Sequence, residues 1–182
     1  MALGSLNWFE LGKTYLQGPA ISTGPVYISS VDFIHLYYSF TGVDDGSGGN
    51  DDILVRFNGE TGASYANHVI GYTSSNMLLA PTEFTSPSAS GIRISAFQSG
   101  IYVSQSGSIH ITTMPSTGHN LMTIANSTMN YSAYTNPLGI ELLGAGDYKS
   151  SSDISSIEFY TANGSLLQAK SGFIAWGCNI GL

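Results

Sequence analysis

Charge is scarce in this chain. Asp, Glu, Lys and Arg make up 9% of its 182 residues, and only five residues are basic. Average soluble domains are about a quarter charged. Lys13, Arg56, Arg93, Lys149 and Lys170 are scattered singly, and the formal net charge is −7. Nucleic acid and anionic membrane surfaces select clustered Lys and Arg, so neither is expected as a partner. A single cysteine, Cys178, rules out an intrachain disulfide. With no histidine near it in sequence, it reads as a packed thiol rather than a nucleophile. No apolar run is long enough to span a bilayer. Met1 to Gly12 lacks the basic start and apolar run of an export signal, which predicts synthesis in a cytoplasm without such a signal.

What fills the chain instead is Gly, Ser, Thr, Asn and aromatic residues, with 22 glycines and 11 tyrosines against 42% hydrophobic residues. That composition suits an all-β protein with many turns. It also suits a surface partly covered by neighbouring subunits, because interfaces deplete charge and enrich aromatics. The length fits one domain with a sizeable core, spanning 1–182.

The period-two pattern is strongest over Val31 to Thr41. Ile34, Leu36, Tyr38 and Phe40 form a wholly apolar face directed to the core, while Phe33, His35, Tyr37 and Ser39 form the other. Ile53-Leu54-Val55-Arg56-Phe57 alternates in the same way. Asn58-Gly59 then supplies a turn, since both tolerate positive φ. Arg56 lies inside a strand, and Glu60, four residues on and across the turn, is its expected partner. Leu6 to Leu16 reads as an opening strand. Ser74 to Ser90 reads as an exposed Ser/Thr/Pro-rich excursion, and Gln105-Ser106-Gly107 as a hairpin turn. Leu121 to Tyr134 carries some strand character, and Ile154 to Tyr160 and Leu166 to Trp176 close the chain as strands. About eight to ten strands at this spacing, without helical periodicity, predict a single-domain antiparallel β-sandwich of jelly-roll-like form.

Catalytic signals are missing. His35, His68, His110 and His119 show no metal-pair spacing, and a hydrogen-bonded strand histidine is the expected state of His35 and His110. No Gly-x-Ser-x-Gly elbow is present. Glu10, Glu60, Glu83, Glu141 and Glu158 are too dispersed to select an acid–base pair. We therefore expect no catalytic, cofactor-binding or metal-binding residues and no cofactor. Two weaker binding candidates remain. The acidic loop Asp44 to Asp52 has glycines and four carboxylates that could wrap calcium, without EF-hand spacing. The stretch Asn130 to Asn136, with Tyr131 and Tyr134, offers aromatic faces and amides for a sugar.

Trp8 followed by Glu10-Leu11-Gly12-Lys13-Thr14, and then Arg56-Phe57-Asn58-Gly59-Glu60-Thr61-Gly62-Ala63-Ser64-Tyr65, resembles small virion proteins of tailed bacteriophages. Those share a Trp-Glu-Leu-Gly-Arg-type start and an Arg-Phe-Asn-Gly-Asp-x-Gly-x-Asn-Tyr centre. Their closing strands are similar to Ile154 to Phe159 and Gly172 to Gly177 here. Lys13, Glu60 and Ser64 depart from that pattern, and Gly146-Asp147-Tyr148-Lys149 stands where an Arg-Glu-x-x-x-Lys-Trp segment is usual. The resemblance implies a β-rich decoration or cement protein on the capsid exterior, with no catalytic residues to transfer. It implies the major capsid protein as partner and a homo-oligomer, expected as a trimer. Residues 1–7 and 178–182 are expected arms reaching a neighbour. The alternative expectation is a tail-associated or glycan-binding sandwich for host recognition.

Overall fold

The computed structural model describes residues 7–43, 51–75, 78–97, 102–131 and 138–180. Their alternating apolar pattern produces strands almost throughout. In chain order these are β1 (Phe9–Tyr15), β2 (Val26–Tyr27), β3 (Phe33–Val43), β4 (Asp51–Phe57), β5 (Tyr65–Ser75) and β6 (Leu78–Ala89). Then follow β7 (Ile92–Phe97), β8 (Tyr102–Met114), β9 (His119–Tyr131), β10 (Leu138–Tyr148), β11 (Ser156–Thr161), β12 (Leu166–Leu167) and β13 (Gly172–Cys178). A 3-10 turn, Pro115–Thr117, links β8 to β9. No helix among the described residues is long and apolar enough to cross a membrane.

The strands form an antiparallel β-sandwich. The larger sheet runs β1-β13-β3-β8-β9-β10-β5-β6, with β12 paired to β3. The smaller runs β2-β11-β4-β7. Between them lies the core. Ile34, Leu36, Tyr38 and Phe40 of β3 are all buried, as their shared face predicts. They meet Ile53, Val55 and Phe57 of β4 and Ile157 and Phe159 of β11 in one apolar cluster. The rings of Tyr38, Phe40, Phe159 and Phe173 lie 4.9 to 5.5 Å apart in tilted and stacked contacts. Each such side chain contributes about 1.5–3 kcal/mol by leaving water.

Three expectations change. The stretch expected as an excursion, Ser74 to Ser90, is largely strand. β6 is an edge strand, where prolines are tolerated because no second neighbour needs their missing N–H. Gln105-Ser106-Gly107 is not a turn but the interior of β8, paired with Phe40, Ser39 and Tyr38 of β3. Gly107 is there for space, since a Cβ would stand 2.5 Å from the Tyr38 hydroxyl and 2.4 Å from the Ala125 carbonyl. Arg56 does not pair with Glu60. Its register partner on β11 is Glu158, with Nε–Oε2 at 2.7 Å, while Glu60 accepts the Gly62 N–H at 2.7 Å.

The Arg56-Phe57-Asn58-Gly59 segment is held by a network of hydrogen bonds. Asn58 sits at φ 56, and its Oδ1 accepts the Ser155 and Ser156 N–H groups at 2.7 and 3.2 Å. Its Nδ2 donates to the Asp153 carbonyl at 2.8 Å. The Tyr65 hydroxyl accepts the Phe57 N–H at 2.8 Å and donates to the Phe57 carbonyl at 3.1 Å. The Asn-Gly turn is thereby stitched to the segment that enters β11.

Candidate functional site

The outward face of β3 meets β1 and β13 on one side and β8 on the other. Antiparallel register sets the rows. Glu10, Trp176, His35 and His110 form one row across these four strands. Lys13, Ile174, Tyr37 and Ser108 form the next, and Tyr15, Gly172, Ser39 and Ser106 the third.

The first row makes a cleft of about 280 Å³ walled by Trp8, His35, Tyr37 and Trp176. His35 stacks on Tyr37 with centroids 4.1 Å apart and planes at 20°, and Trp8 approaches edge-on at 6.2 Å. Trp8 and Tyr37 are 44% and 51% exposed, so each presents ring surface to a partner, with His35 covering one face of Tyr37. His110 lies against His35 with centroids 3.7 Å apart. Burial, and then the neighbouring His110, lower the His35 pKa from its ordinary value, so the ring is neutral at pH 7. Its Nε2 is shielded from solvent and has no hydrogen-bond partner, contrary to the expected hydrogen-bonded state.

Beyond Tyr37 the groove continues into a second depression of about 360 Å³. Its edges are Lys13, Tyr15, Ser39 and Lys170. Gly172 lies between Tyr15 and Ser39 in the third row. A Cβ on Gly172 would fall 2.1 Å from the Thr14 carbonyl, so only glycine lets β1 approach β13 here. Tyr37 lines both depressions and stands between them; the two lie one after the other along the strands and together make up the groove.

Among the described residues no group of three or more His, Cys, Asp or Glu side chains is placed to hold a metal ion. Residues 44–50 of the acidic loop lie outside the described residues. Asp51 and Asp52 are already engaged: Asp51 accepts the N–H groups of Asp52, Asn163 and Ser165 at 2.7 to 2.9 Å. Asp52 pairs with Arg93 at 2.6 Å, yet burial outweighs that cation and raises its carboxyl pKa. Residues 132–137, with Tyr134, are outside the described residues, and Tyr131 ends β9. Of the expected arms, 1–6 and 181–182 are outside the described residues, and Cys178 is buried. His119 pairs with Asp147 at 2.8 Å, away from the groove.

Alternation along β3 places His35 and Tyr37 on one outward face but does not bring Trp8 and Trp176 to them. The available signal was that both tryptophans fall in the two terminal motifs. Antiparallel pairing of β1 with β13, and of β13 with β3, delivers both to one place.

No family model matches the chain, and no curated protein does. Solved structures with some likeness include the CBM2 module of an evolved Dit from Lactobacillus casei BL23 phage J-1. It is 10% identical, with 88% of this chain and 70% of that one covered at a TM-score of 0.18. A Scytalido-glutamic peptidase is 12% identical over 87% and 74%, with a TM-score of 0.28. The lectin UEA-II in complex with galactose is 7% identical over 94% and 98%, with a TM-score of 0.18. Likenesses this low assign neither a family nor an activity.

Proposed function

We propose that this chain is a saccharide-binding β-sandwich without catalytic activity, carried on a phage particle to contact a host surface. One observation carries the reading: Trp8, Tyr37 and Trp176 wall an open cleft on the outer face of the larger sheet. Aromatic faces stack on the C–H faces of a sugar ring, and polar tips beside them satisfy its hydroxyls. The groove follows rigid strands, so it is formed before the ligand arrives and little ordering entropy is lost on binding. The virion setting rests on the terminal and central motifs. The test is binding of the purified chain to a glycan array, repeated with Tyr37→Ala and Trp176→Ala. Loss of all glycan binding in both variants supports the reading, and unchanged binding removes the cleft from it.

A second reading is favoured by the margin where β1 and β2 end the two sheets. Phe9, Tyr15, Ile21 and Tyr27 are all exposed there, with the Glu10–Lys13 pair as the local charge. An apolar, charge-poor margin suits subunit contacts. In that reading the chain is a trimeric decoration protein on the capsid exterior, bound to the assembled major capsid protein. It would stabilise the shell by linkage, having lower affinity for separated subunits. Copy number per particle decides between them. About one chain per shell subunit, or one trimer for every few, supports decoration, and a handful supports a tail location.

A further inference from the structure

The second depression differs from the first in charge. Of the five basic residues, Arg56 is committed to Glu158 and Arg93 to Asp52. Lys13 and Lys170 line the same depression, in a protein whose net charge is −7. Two cations concentrated beside aromatic walls, against an otherwise acidic surface, form a local site for an anion.

Lys170 is held there by an unusual backbone. It adopts φ 71, a conformation that favours glycine, as the chain turns into β13. Its N–H donates to the Leu16 carbonyl at 2.8 Å, which ties this turn to the end of β1. No ion pair to its side chain exists among the described residues. Lys13 contacts Glu10 at 3.2 Å, an exposed pair that an incoming carboxylate can displace at little cost. Glu10 lies in the row of Trp176, and Lys13 and Lys170 line the depression toward Tyr15.

We infer that the groove selects an acidic saccharide, with an uncharged sugar ring stacked between Trp8, Tyr37 and Trp176 and a neighbouring unit's carboxylate held by Lys13 and Lys170. This rests on the saccharide reading above and adds polarity and direction to it. A neutral glycan would leave Lys13 on Glu10 and give the Lys170 ammonium no anionic partner. An anion without a stacking ring would have only exposed, screened cations to hold it.

The test uses the full chain on an array of matched disaccharides in which an uncharged unit is joined to glucose or to glucuronate, and to galactose or to galacturonate. The best pair is then titrated calorimetrically. The acidic member is expected to bind more tightly, and the preference to shrink as salt rises from 20 to about 500 mM. The double substitution Lys13→Gln/Lys170→Gln should remove the preference, about two- to five-fold per lysine, and leave neutral binding unchanged. Glu10→Gln should strengthen acidic binding. These are exposed side chains, and unchanged melting curves would show that the variants fold. Equal binding of both members, or a preference that survives the double substitution, overturns the acidic inference and leaves the saccharide site standing. Binding of neither member in any pair overturns the saccharide reading and this inference with it.

Discussion

Arg56 of β4 and Glu158 of β11 are 102 residues apart in sequence, yet their side chains meet at 2.7 Å across the smaller sheet. The guanidinium also lies 4.4 Å over the Tyr160 ring, and Ser22 donates a short hydrogen bond to the second oxygen of Glu158. Both members of the pair are largely covered, at 23% and 12% exposed. The pair fixes the register of β4 on β11, because slipping by one residue would turn Arg56 into the apolar core.

Removing one partner should therefore cost more than removing both. Arg56→Ala leaves a covered carboxylate with Ser22 alone, and we expect a loss of about 1–3 kcal/mol, discounted from a fully buried pair. Arg56→Met/Glu158→Leu should lose less. Glu60→Gln, at the expected but unrealised partner, should change stability by less than about 0.5 kcal/mol. Urea denaturation of the four proteins orders them, and an Arg56→Ala protein as stable as the parent would remove the pair from the account.

The same pair sets an acid limit. Burial would raise the Glu158 carboxyl, but hydrogen bonds from Arg56 and Ser22 and the guanidinium charge hold it below its ordinary 4.5. A depressed folded-state value means stability that is present above pH 4.5 and is lost as pH falls through the folded value. His35 acts higher on the scale. Its lowered value means that the unfolded chain takes up a proton first, so its contribution is lost as pH falls below about 6.5. In a carbon-detected or proton NMR titration His35 should titrate below 6.5, and His110→Gln should move it part of the way back, since burial remains. A His35 midpoint above 6.5 would contradict the packing of the two rings.

How much of this was legible in the sequence depends on range. The face of β3 was readable because alternation is local, and Ile34, Leu36, Tyr38 and Phe40 are buried together as read. The partner of Arg56 was not, because Glu60 is near in sequence while Glu158 is near only after β4 and β11 pair. Gly107 looked like a turn because glycine serves both turns and close packing, and only the Tyr38 hydroxyl beside it decides which. The cleft was half legible. His35 and Tyr37 share a strand, but Trp8 and Trp176 join them through two further pairings at opposite ends of the chain.

The Asn58 turn separates two local effects. Asn58→Gly keeps the positive φ but removes the side-chain bonds to Asp153, Ser155 and Ser156. A cost of about 1–2 kcal/mol is expected, from net hydrogen-bond values. Asn58→Ala adds left-handed strain, for a total of about 2–3 kcal/mol. Chemical denaturation should rank the proteins parent, Gly, Ala, and equal stability of the two variants would show that backbone strain plays no part.

Within the core, Phe159 touches Tyr38, Phe40 and Phe173 through centroid contacts of 4.9 to 5.5 Å and is fully buried. Phe159→Ala removes the ring that three neighbours pack on, and should cost about 3–5 kcal/mol. Phe159→Leu should recover more than half of that loss. A cost under 1 kcal/mol for the alanine variant would mean that the two sheets close over the gap.

The chain has two tryptophans, and both wall the same cleft. Tryptophan fluorescence therefore reports on that cleft and on nothing else in the protein. A stacked sugar excludes water from the indole faces, so saccharide binding should shift the emission to shorter wavelength, saturating with the calorimetric affinity. Tyr37→Ala should weaken the response by at least about ten-fold, because its ring is shared by both depressions and its loss removes a stacking contact along with its buried area. A protein held to a capsid through the β1 and β2 margin can engage its shell with the indole faces still in water. Emission that no glycan shifts, from a chain that co-sediments with assembled shells, would turn the assignment from host recognition to decoration. A shift with glycans alone would place the contact in the cleft.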